Sequence, residues 1–110
     1  MREAGQVAIM PFPTVGLAVG KPRPVVLIAS VPGPHDDWLI CMMSTQLQHA
    51  QAGFDEVIDT TAADFQGAGV KVSSVIRVAR LAVVPADMLV GTIGKIGADR
   101  LQRIRQTLAQ

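Results

Sequence analysis

The chain has 110 residues, of which 49% are hydrophobic and only 17% are charged, and its formal net charge is +1. This length predicts a single domain over residues 1–110, and the apolar surplus excludes a disordered chain, because a buried core can offset the ordering entropy. The near-zero charge excludes a uniformly basic surface for nucleic acid, so any phosphate-binding site has to be a local cluster of Lys or Arg.

Short apolar segments separated by Gly and Pro predict three strands in the first part of the chain. Residues Gln6–Met10 form the first, which ends at a proline that cannot donate to a ladder. We expect an exposed loop from Thr14 to Pro22. Residues Val25–Ala29 then predict a buried strand, because long aliphatic side chains follow one another without a polar break. A turn rich in Gly and Pro separates this strand from a third, Trp38–Met43.

The second part of the chain predicts further short strands and one helix. The expected segments are a half-exposed strand over Phe54–Asp59, a helical turn or loop within Thr60–Gly69, one strand bent near Ala79 that joins Ser74–Val78 to Arg80–Val84, and a last short strand within Leu89–Lys95. Gly and Pro between these segments favour turns.

The C-terminal residues differ from the rest because they show helical periodicity. Asp99 is a suitable N-cap, with Gln102 three residues later, and Leu101, Ile104 and Leu108 fall on one stripe. Many short strands followed by one amphipathic helix predict a mainly β protein, a small closed or nearly closed barrel.

The sequence lacks the common signatures of metal and cofactor sites. One Cys and two His occur without ligand spacing, and no phosphate-binding glycine loop or nucleophile elbow is present. Cys41 lies inside an apolar strand, which predicts a core residue. A lone cysteine suits a reducing compartment, and no apolar run approaches the ~20 residues that span a bilayer, so we expect a cytoplasmic protein without membrane attachment or cofactor.

A few polar residues at strand ends are candidates for binding phosphate. Arg23 opens a buried strand, where its planar guanidinium could hold a phosphate or simply be solvated. The hydroxyls of Ser44 and Thr45 could do the same or form a local turn. Arg77 and Arg80 could line a polar groove or protect an edge strand from aggregation. His35, beside an aspartate, is a candidate for proton transfer, although an exposed histidine in a turn is equally compatible with no role.

These residues occur in segments that resemble the PemK/MazF-like toxin family. Residues 5–13 look like its opening strand and Pro-Phe-Pro turn, and residues 21–28 are similar to its Arg-Pro strand. Residues 43–48 resemble the end of its third strand, residues 74–77 a later strand, and residues 92–96 with the following helix its C-terminus. The resemblance covers nearly the whole chain in the family's order.

The resemblance implies an SH3-like barrel, a homodimer and a metal-independent endoribonuclease that cleaves single-stranded RNA, with an antitoxin protein that occupies the RNA groove. Arg23 matches the family's catalytic arginine, and Ser44 matches the hydroxyl that holds the scissile phosphate. By their place in the matching segments, the implied RNA-binding candidates are Lys21, Thr45, Gln46 and Arg77.

The chain also departs from the family pattern. Some members have an acidic residue two positions after the arginine that Arg77 resembles, where this chain has Ala79, and some have a histidine in the first long loop, where this chain has none. The general base therefore stays unassigned, with His35 as a candidate. Two alternatives remain: a barrel that binds a protein or nucleic acid without cutting it, and a gyrase-directed toxin. The latter is disfavoured because the C-terminus lacks a Trp-Gly-Ile signature.

Overall fold

A computed structural model describes residues 2–11 and 22–110 of the chain. In chain order the strands are β1 (Gln6–Pro11), β2 (Pro22–Val31), β3 (Asp37–Ser44), β4 (Glu56–Ile58), β5 (Ser74–Pro85) and β6 (Gly91–Lys95). The helices are α1 (Phe65–Ala68) and α2 (Ala98–Leu108), with 3₁₀ turns at Leu47–His49 and Ala86–Met88. The predicted loop from Thr14 to Pro22 lies outside the described residues except for Pro22, which begins β2.

The six strands form one curled antiparallel sheet in the order β4-β5-β3-β2-β1-β6. Each neighbouring pair is antiparallel, and consecutive strands β1, β2 and β3 are direct neighbours. The predicted fold class is confirmed: the protein is mainly β, is consistent with a small SH3-like barrel, and ends in a helix. Among the described residues, no helix is long and apolar enough to cross a membrane.

The core lies on both faces of the central strands, which explains the uninterrupted apolar runs. Residues 25–28 of β2 are all at most 2% exposed, because successive side chains point to opposite faces of the sheet and both faces are covered. One cluster packs beneath α2, where Ile104 is fully buried and Leu101 and Leu108 pack against the cluster. The predicted apolar stripe of the C-terminal helix is therefore confirmed. The opposite face carries a second cluster around Leu27 and Trp38.

The start of α2 differs from the prediction. Its N-cap is Gly97, with extended backbone and no side-chain capping bond, and Asp99 lies in the first turn. The prediction of Asp99 as the N-cap was wrong, because a tertiary contact decides where the helix begins: the Gly97 amide donates to Asp64 Oδ2 at 2.9 Å. A carboxylate in the first turn, such as Asp99, still favours the positive end of the helix dipole.

Arg100, on α2 beside the apolar stripe, is 9% exposed and joins three parts of the chain. Its Nε and Nη2 donate to the two carboxylate oxygens of Asp64 at 2.7 and 3.0 Å. Its Nη1 donates to Glu56 Oε1 at 3.0 Å and to the Val57 carbonyl at 3.1 Å. These bonds hold α2 against β4 and the start of α1.

Strand β5 confirms the prediction of one long strand with an irregularity near Ala79. Along β3, Cys41 pairs with Leu81 but the next residue, Met42, pairs with Arg77. One step on β3 thus corresponds to four on β5, and residues 78–80 form a bulge without partners on β3. Bulges of this kind bend a strand and redirect its side chains.

Candidate nucleic-acid interface

The start of β2 and the end of β3 lie side by side at one end of the sheet. The ladder pairs Val25 with Met42, and the same register continued by two residues sets Arg23 opposite Ser44. Residues directly opposite each other on antiparallel strands share a face of the sheet. The two residues predicted from the sequence to act on phosphate are therefore placed together by strand pairing.

A pocket of about 550 Å³ opens at this end of the sheet. We call it the arginine pocket; its lining residues are Arg23, Met42, Met43, Ser44, Arg77, Arg80 and Leu81. The two methionines and Leu81 provide an apolar wall, whereas the remaining four residues provide hydrogen-bond donors. The sequence left two roles open for Arg77 and Arg80, and the structure places both of them in the pocket with Arg23.

The arginine pocket carries uncompensated positive charge. Neither the Arg23 nor the Arg80 side chain makes a hydrogen bond or ion pair with any residue in 2–11 or 22–110. Arg77 has one acidic partner, Asp55, whose Oδ2 lies 3.5 Å from Arg77 Nε. Three guanidinium groups therefore face one carboxylate, in a chain whose overall formal charge is only +1. Local positive potential of this kind attracts polyanions.

Ser44 is held by a tight local turn at the end of β3. Its Oγ accepts a hydrogen bond from the Gln46 amide at 3.0 Å. A hydroxyl has one proton and two lone pairs, so this bond leaves the proton available to donate to a phosphate oxygen. The turn therefore fixes the hydroxyl in position while preserving the donor that a phosphate site needs.

The carboxylate beside Arg77 comes from a distant part of the chain. Asp55, in the segment before β4, has a side chain that is 2% exposed. Its Oδ1 accepts from the Val78 amide at 2.9 Å, and its Oδ2 accepts from the Gln51 amide at 3.0 Å. Ala79, the position where some family members have an acidic residue, is exposed in the bulge. An acidic group thus lies next to Arg77, although it does not come from that position.

The other candidate residues are distributed differently. Thr45 and Gln46 are exposed immediately after Ser44, and the Gln46 side chain accepts from Gln48 Nε2 at 2.8 Å. Lys21 lies outside the described residues. His35 lies in the turn between β2 and β3, at the opposite end of β3 from Ser44, and lines a separate depression with acidic residues. An eight-residue strand spans roughly 25 Å, so within one chain His35 is remote from the arginine pocket.

The single cysteine is buried, as predicted. Cys41 is fully inaccessible, and its Sγ lies 3.9 Å from the Val78 carbonyl oxygen. Burial, with a smaller contribution from the negative charge of Asp55, raises the pKa of the thiol to about 12. A thiol held in its protonated form is a poor nucleophile. Among residues 2–11 and 22–110, no three His, Cys, Asp or Glu side chains form a group that could hold a metal ion.

Sequence reasoning misses the roles of Asp55 and Arg100. The sequence predicts Asp55 only as part of a strand segment, because nothing in its neighbourhood signals a contact with Val78, 23 residues away. Arg100 falls within the predicted C-terminal helix but not on its apolar stripe, and yet its side chain is nearly buried with its ion pairs. The only sequence signal for the burial of Arg100 is its place beside the apolar stripe, and this signal is weak because charged residues at such positions are usually solvated.

Comparison with known proteins places the whole chain in one family. Residues 3–110 match the model of the family described as the PemK-like, MazF-like toxin of type II toxin–antitoxin systems. No curated protein matches the chain in a sequence comparison. The family match covers both strand ends that form the arginine pocket and continues to the last residue of the chain. The protein therefore belongs to the PemK-like, MazF-like family, the toxins of type II toxin–antitoxin pairs.

Proposed function

We propose that this toxin is a sequence-selective endoribonuclease that cleaves single-stranded RNA without a metal ion. The observation that carries the proposal is the placement of Arg23 opposite Ser44 in a pocket whose positive charge is largely unpaired. Family membership supports the same activity. The proposal includes a cytoplasmic location, a single functional domain over residues 1–110, and inhibition by an antitoxin that covers the pocket.

The chemistry follows from what the two side chains can donate. The 2′-hydroxyl oxygen of a ribose attacks the adjacent phosphorus, a new P–O2′ bond forms, and the P–O5′ bond breaks. The products are a 2′,3′-cyclic phosphate and a free 5′-hydroxyl, with the proton lost by the 2′-oxygen balanced by one gained at the 5′-oxygen. Negative charge grows on the non-bridging oxygens, where Arg23 and the Ser44 hydroxyl stabilise it. A guanidinium group donates hydrogen bonds and has no acceptor, so Arg23 acts electrostatically and not as the base.

RNA recognition in this pocket is expected to depend on backbone contacts. None of the described residues that line the pocket is aromatic, so these residues offer no stacking surface of the kind that many single-strand binders use. Thr45 and Gln46 follow Ser44 on the exposed surface and are proposed to contact the RNA chain. Arg77 supplies a further cation for the RNA backbone in the same pocket, and Lys21 is a candidate from the family resemblance.

We further propose that the protein is a homodimer. Among residues 2–11 and 22–110, the second half of β5 pairs with β3 alone, because β4 covers β5 over residues 74–76. This edge carries Leu81 and Val83, whose exposed fractions are 42% and 57%. Exposed apolar side chains on a strand edge are favourable sites for pairing with another chain. Size-exclusion chromatography with light scattering should return twice the 11.6 kDa chain mass at micromolar concentration; a monomer contradicts the dimer.

The catalytic proposal is tested by incubating a long single-stranded RNA with antitoxin-free protein in excess EDTA. Wild-type protein should cut at a small set of sites, and Arg23→Ala should lower the rate by about a hundredfold or more. Ser44→Ala should also be slow, whereas Ser44→Thr should retain activity because the hydroxyl remains. Lys71→Gln, which removes an exposed charge outside the pocket, is the matched control.

Three results would contradict the proposal in different ways. Cleavage that disappears in EDTA would show that a metal ion is needed. Equal cleavage by wild-type and Arg23→Ala protein would remove Arg23 from the reaction. The absence of any cleavage by folded wild-type protein would favour the interpretation in which the barrel binds a partner without cutting RNA.

A further inference from the structure

The bulge in β5 changes which side chains reach the arginine pocket. Arg77 and Arg80 are three positions apart, so a regular strand would point them to opposite faces of the sheet. The extra residues 78–80 break this alternation, and both guanidinium groups line the same pocket. The bulge is therefore the feature that doubles the positive charge on this side of the pocket.

Two buried groups hold the bulge at Val78. The Val78 amide donates to Asp55 Oδ1 at 2.9 Å, and the Val78 carbonyl oxygen lies 3.9 Å from Cys41 Sγ. The Val78 side chain itself is fully buried. Val78, the first residue of the bulge, is anchored inward through both backbone groups and its side chain, which leaves Arg77 before it and Arg80 at the end of the bulge to face the pocket.

Asp55 also orients Arg77 without using up its donors. The carboxylate approaches Arg77 at Nε, and the two terminal nitrogens of that guanidinium make no hydrogen bond with residues 2–11 and 22–110. Arg80 has no side-chain partner in the same part of the chain. A planar guanidinium fork that is held at Nε and free at its terminal nitrogens is well suited to a phosphate.

We propose that Arg77 and Arg80 form a second phosphate subsite, which binds a backbone phosphate next to the one held by Arg23 and Ser44. Asp55 is the positioning residue of this subsite. The inference rests on the proposed RNA-cleaving function and deepens it. The pocket presents three guanidinium groups and one neighbouring carboxylate, which leaves an excess of two positive charges. Each phosphate diester carries one negative charge, so two phosphates match this excess. Consecutive nucleotides of a single strand supply that arrangement.

The subsite is tested first by binding, without cleavage. A fluorescein-labelled RNA with 2′-O-methyl riboses cannot be cut by attack of the 2′-hydroxyl, and its anisotropy reports affinity at several NaCl concentrations. Each phosphate contact on a single strand contributes about 0.7 to the slope of log K against log salt. Because both arginines hold one phosphate, Arg80→Gln and Arg77→Gln should each lower the slope, by at most roughly this amount. Lys71→Gln is the control, with an unchanged slope expected, and a slope that Arg80→Gln leaves unchanged would overturn the subsite.

A substrate with single methylphosphonates locates the second phosphate. In a cleavable RNA, the neutral replacement is moved one position at a time around the cleavage site, and KM is measured for each substrate. Wild-type protein should show raised KM for the replacement at one phosphate neighbouring the scissile one. In Arg80→Gln that replacement should have little further effect, because the contact is already lost. An equal penalty in wild type and Arg80→Gln contradicts the assignment.

The role of Asp55 is tested by a double-mutant cycle with Arg77. Asp55→Asn keeps an oxygen for the Val78 amide but removes the charge beside Arg77, and thermal denaturation verifies that the variant is folded. Asp55→Asn should lower the salt slope in the wild-type background and leave it nearly unchanged when Arg77 is already Gln. Equal effects in both backgrounds would show that Asp55 does not act through Arg77. The Arg77 and Arg80 variants test the subsite even where an Asp55 variant does not fold.

The outcomes separate this inference from the proposed function. If wild-type protein cuts RNA but neither Arg77→Gln nor Arg80→Gln changes the salt slope, the subsite is wrong and the endoribonuclease proposal stands. If wild-type protein cuts no RNA but Arg80→Gln lowers the salt slope, the subsite stands and the catalytic proposal fails. Binding of inorganic phosphate alone that matches the affinity of the RNA would overturn the two-phosphate arrangement, because a chain spanning both subsites must bind more tightly.

Discussion

Arg100 on α2 donates two hydrogen bonds to the carboxylate of Asp64, from Nε at 2.7 Å and from Nη2 at 3.0 Å. The two side chains are 10% and 13% exposed, so this fork-to-fork pair is largely removed from water. Asp64 also accepts from the Gly97 amide at the start of α2. One carboxylate thereby fixes both the arginine and the N-cap residue of the helix on the barrel.

Loss of the arginine from this pair should strongly destabilise the fold. Arg100→Met leaves the carboxylates of Asp64 and Glu56 without their shared cation, and breaking a buried pair typically costs about 3 kcal/mol or more. Arg103→Met is the matched control, since Arg103 also pairs with Glu56 but is 52% exposed, and about 0–1 kcal/mol is expected. Urea denaturation at pH 7 measures both; equal losses would show that burial does not strengthen the Arg100 pair.

The same pair should make stability depend on pH in the acid range. The Arg100 hydrogen bonds, more than any other group, hold the pKa of Asp64 below its usual value. A carboxyl with a lowered folded-state pKa stabilises the fold above its unfolded pKa, about 4, and this contribution is lost as pH falls through the folded pKa. The stability gap between wild type and Asp64→Asn should therefore be full at pH 7 and shrink below about pH 4. A gap that is the same at pH 7 and pH 2.5 contradicts this origin.

Gly94 should tolerate no side chain, because β6 passes directly over α1. A Cβ at Gly94 would lie 2.3 Å from the Ala68 carbonyl carbon and 2.3 Å from the Gly67 carbonyl oxygen, both backbone atoms that cannot move independently. Gly94→Ala should lower the free energy of unfolding by about 1–3 kcal/mol. Gly91→Ala, in the same strand, is the control because a Cβ at that position would meet no atom of the described residues within 4 Å. Equal losses of thermal stability in Gly94→Ala and Gly91→Ala would contradict the close approach of β6 to α1.

His35 should be dispensable for RNA cleavage. It lines a depression formed with the acidic Asp36, Asp37 and Asp87, at the other end of β3 from the arginine pocket. A residue that transfers a proton in the reaction typically contributes about 10²–10⁴-fold to the rate. We expect His35→Ala to cleave single-stranded RNA as fast as wild type over pH 6–8, in an assay where Arg23→Ala is slow. A hundredfold loss of cleavage rate in a folded His35→Ala protein would show that His35 takes part in the reaction.

The strand and helix pattern was largely readable from the sequence because it depends on local periodicity. The apolar run at Val25–Ala29 predicted a buried strand, and the stripe at Leu101, Ile104 and Leu108 predicted the face of α2 that packs on the core. Boundaries moved where a tertiary bond intervened, as at Gly97. The predicted half-exposed strand over Phe54–Asp59 proved to be only Glu56–Ile58, because it pairs with just three residues of β5.

The candidate site was only partly readable. Arg23 and Ser44 were found through the family resemblance, and the strand register then explains why they are neighbours. Arg80 was visible as a polar residue in an apolar strand. Regular strand alternation, however, would have placed its side chain on the other face of the sheet from Arg77. His35 looked chemically suitable beside an aspartate, although the sequence contains no measure of the distance between the two ends of β3.

By itself, the sequence determined the fold class, the family and the identity of the catalytic candidates, because each of these is encoded in local patterns of apolar spacing, turns and short motifs. Tertiary structure alone decided that Asp55 holds the Val78 amide and Arg77, and that Arg100 bonds Asp64, 36 residues away. It also decided that a bulge brings Arg77 and Arg80 to one pocket. These contacts join residues distant in the chain, and they form only when the curled sheet and the core bring those residues together.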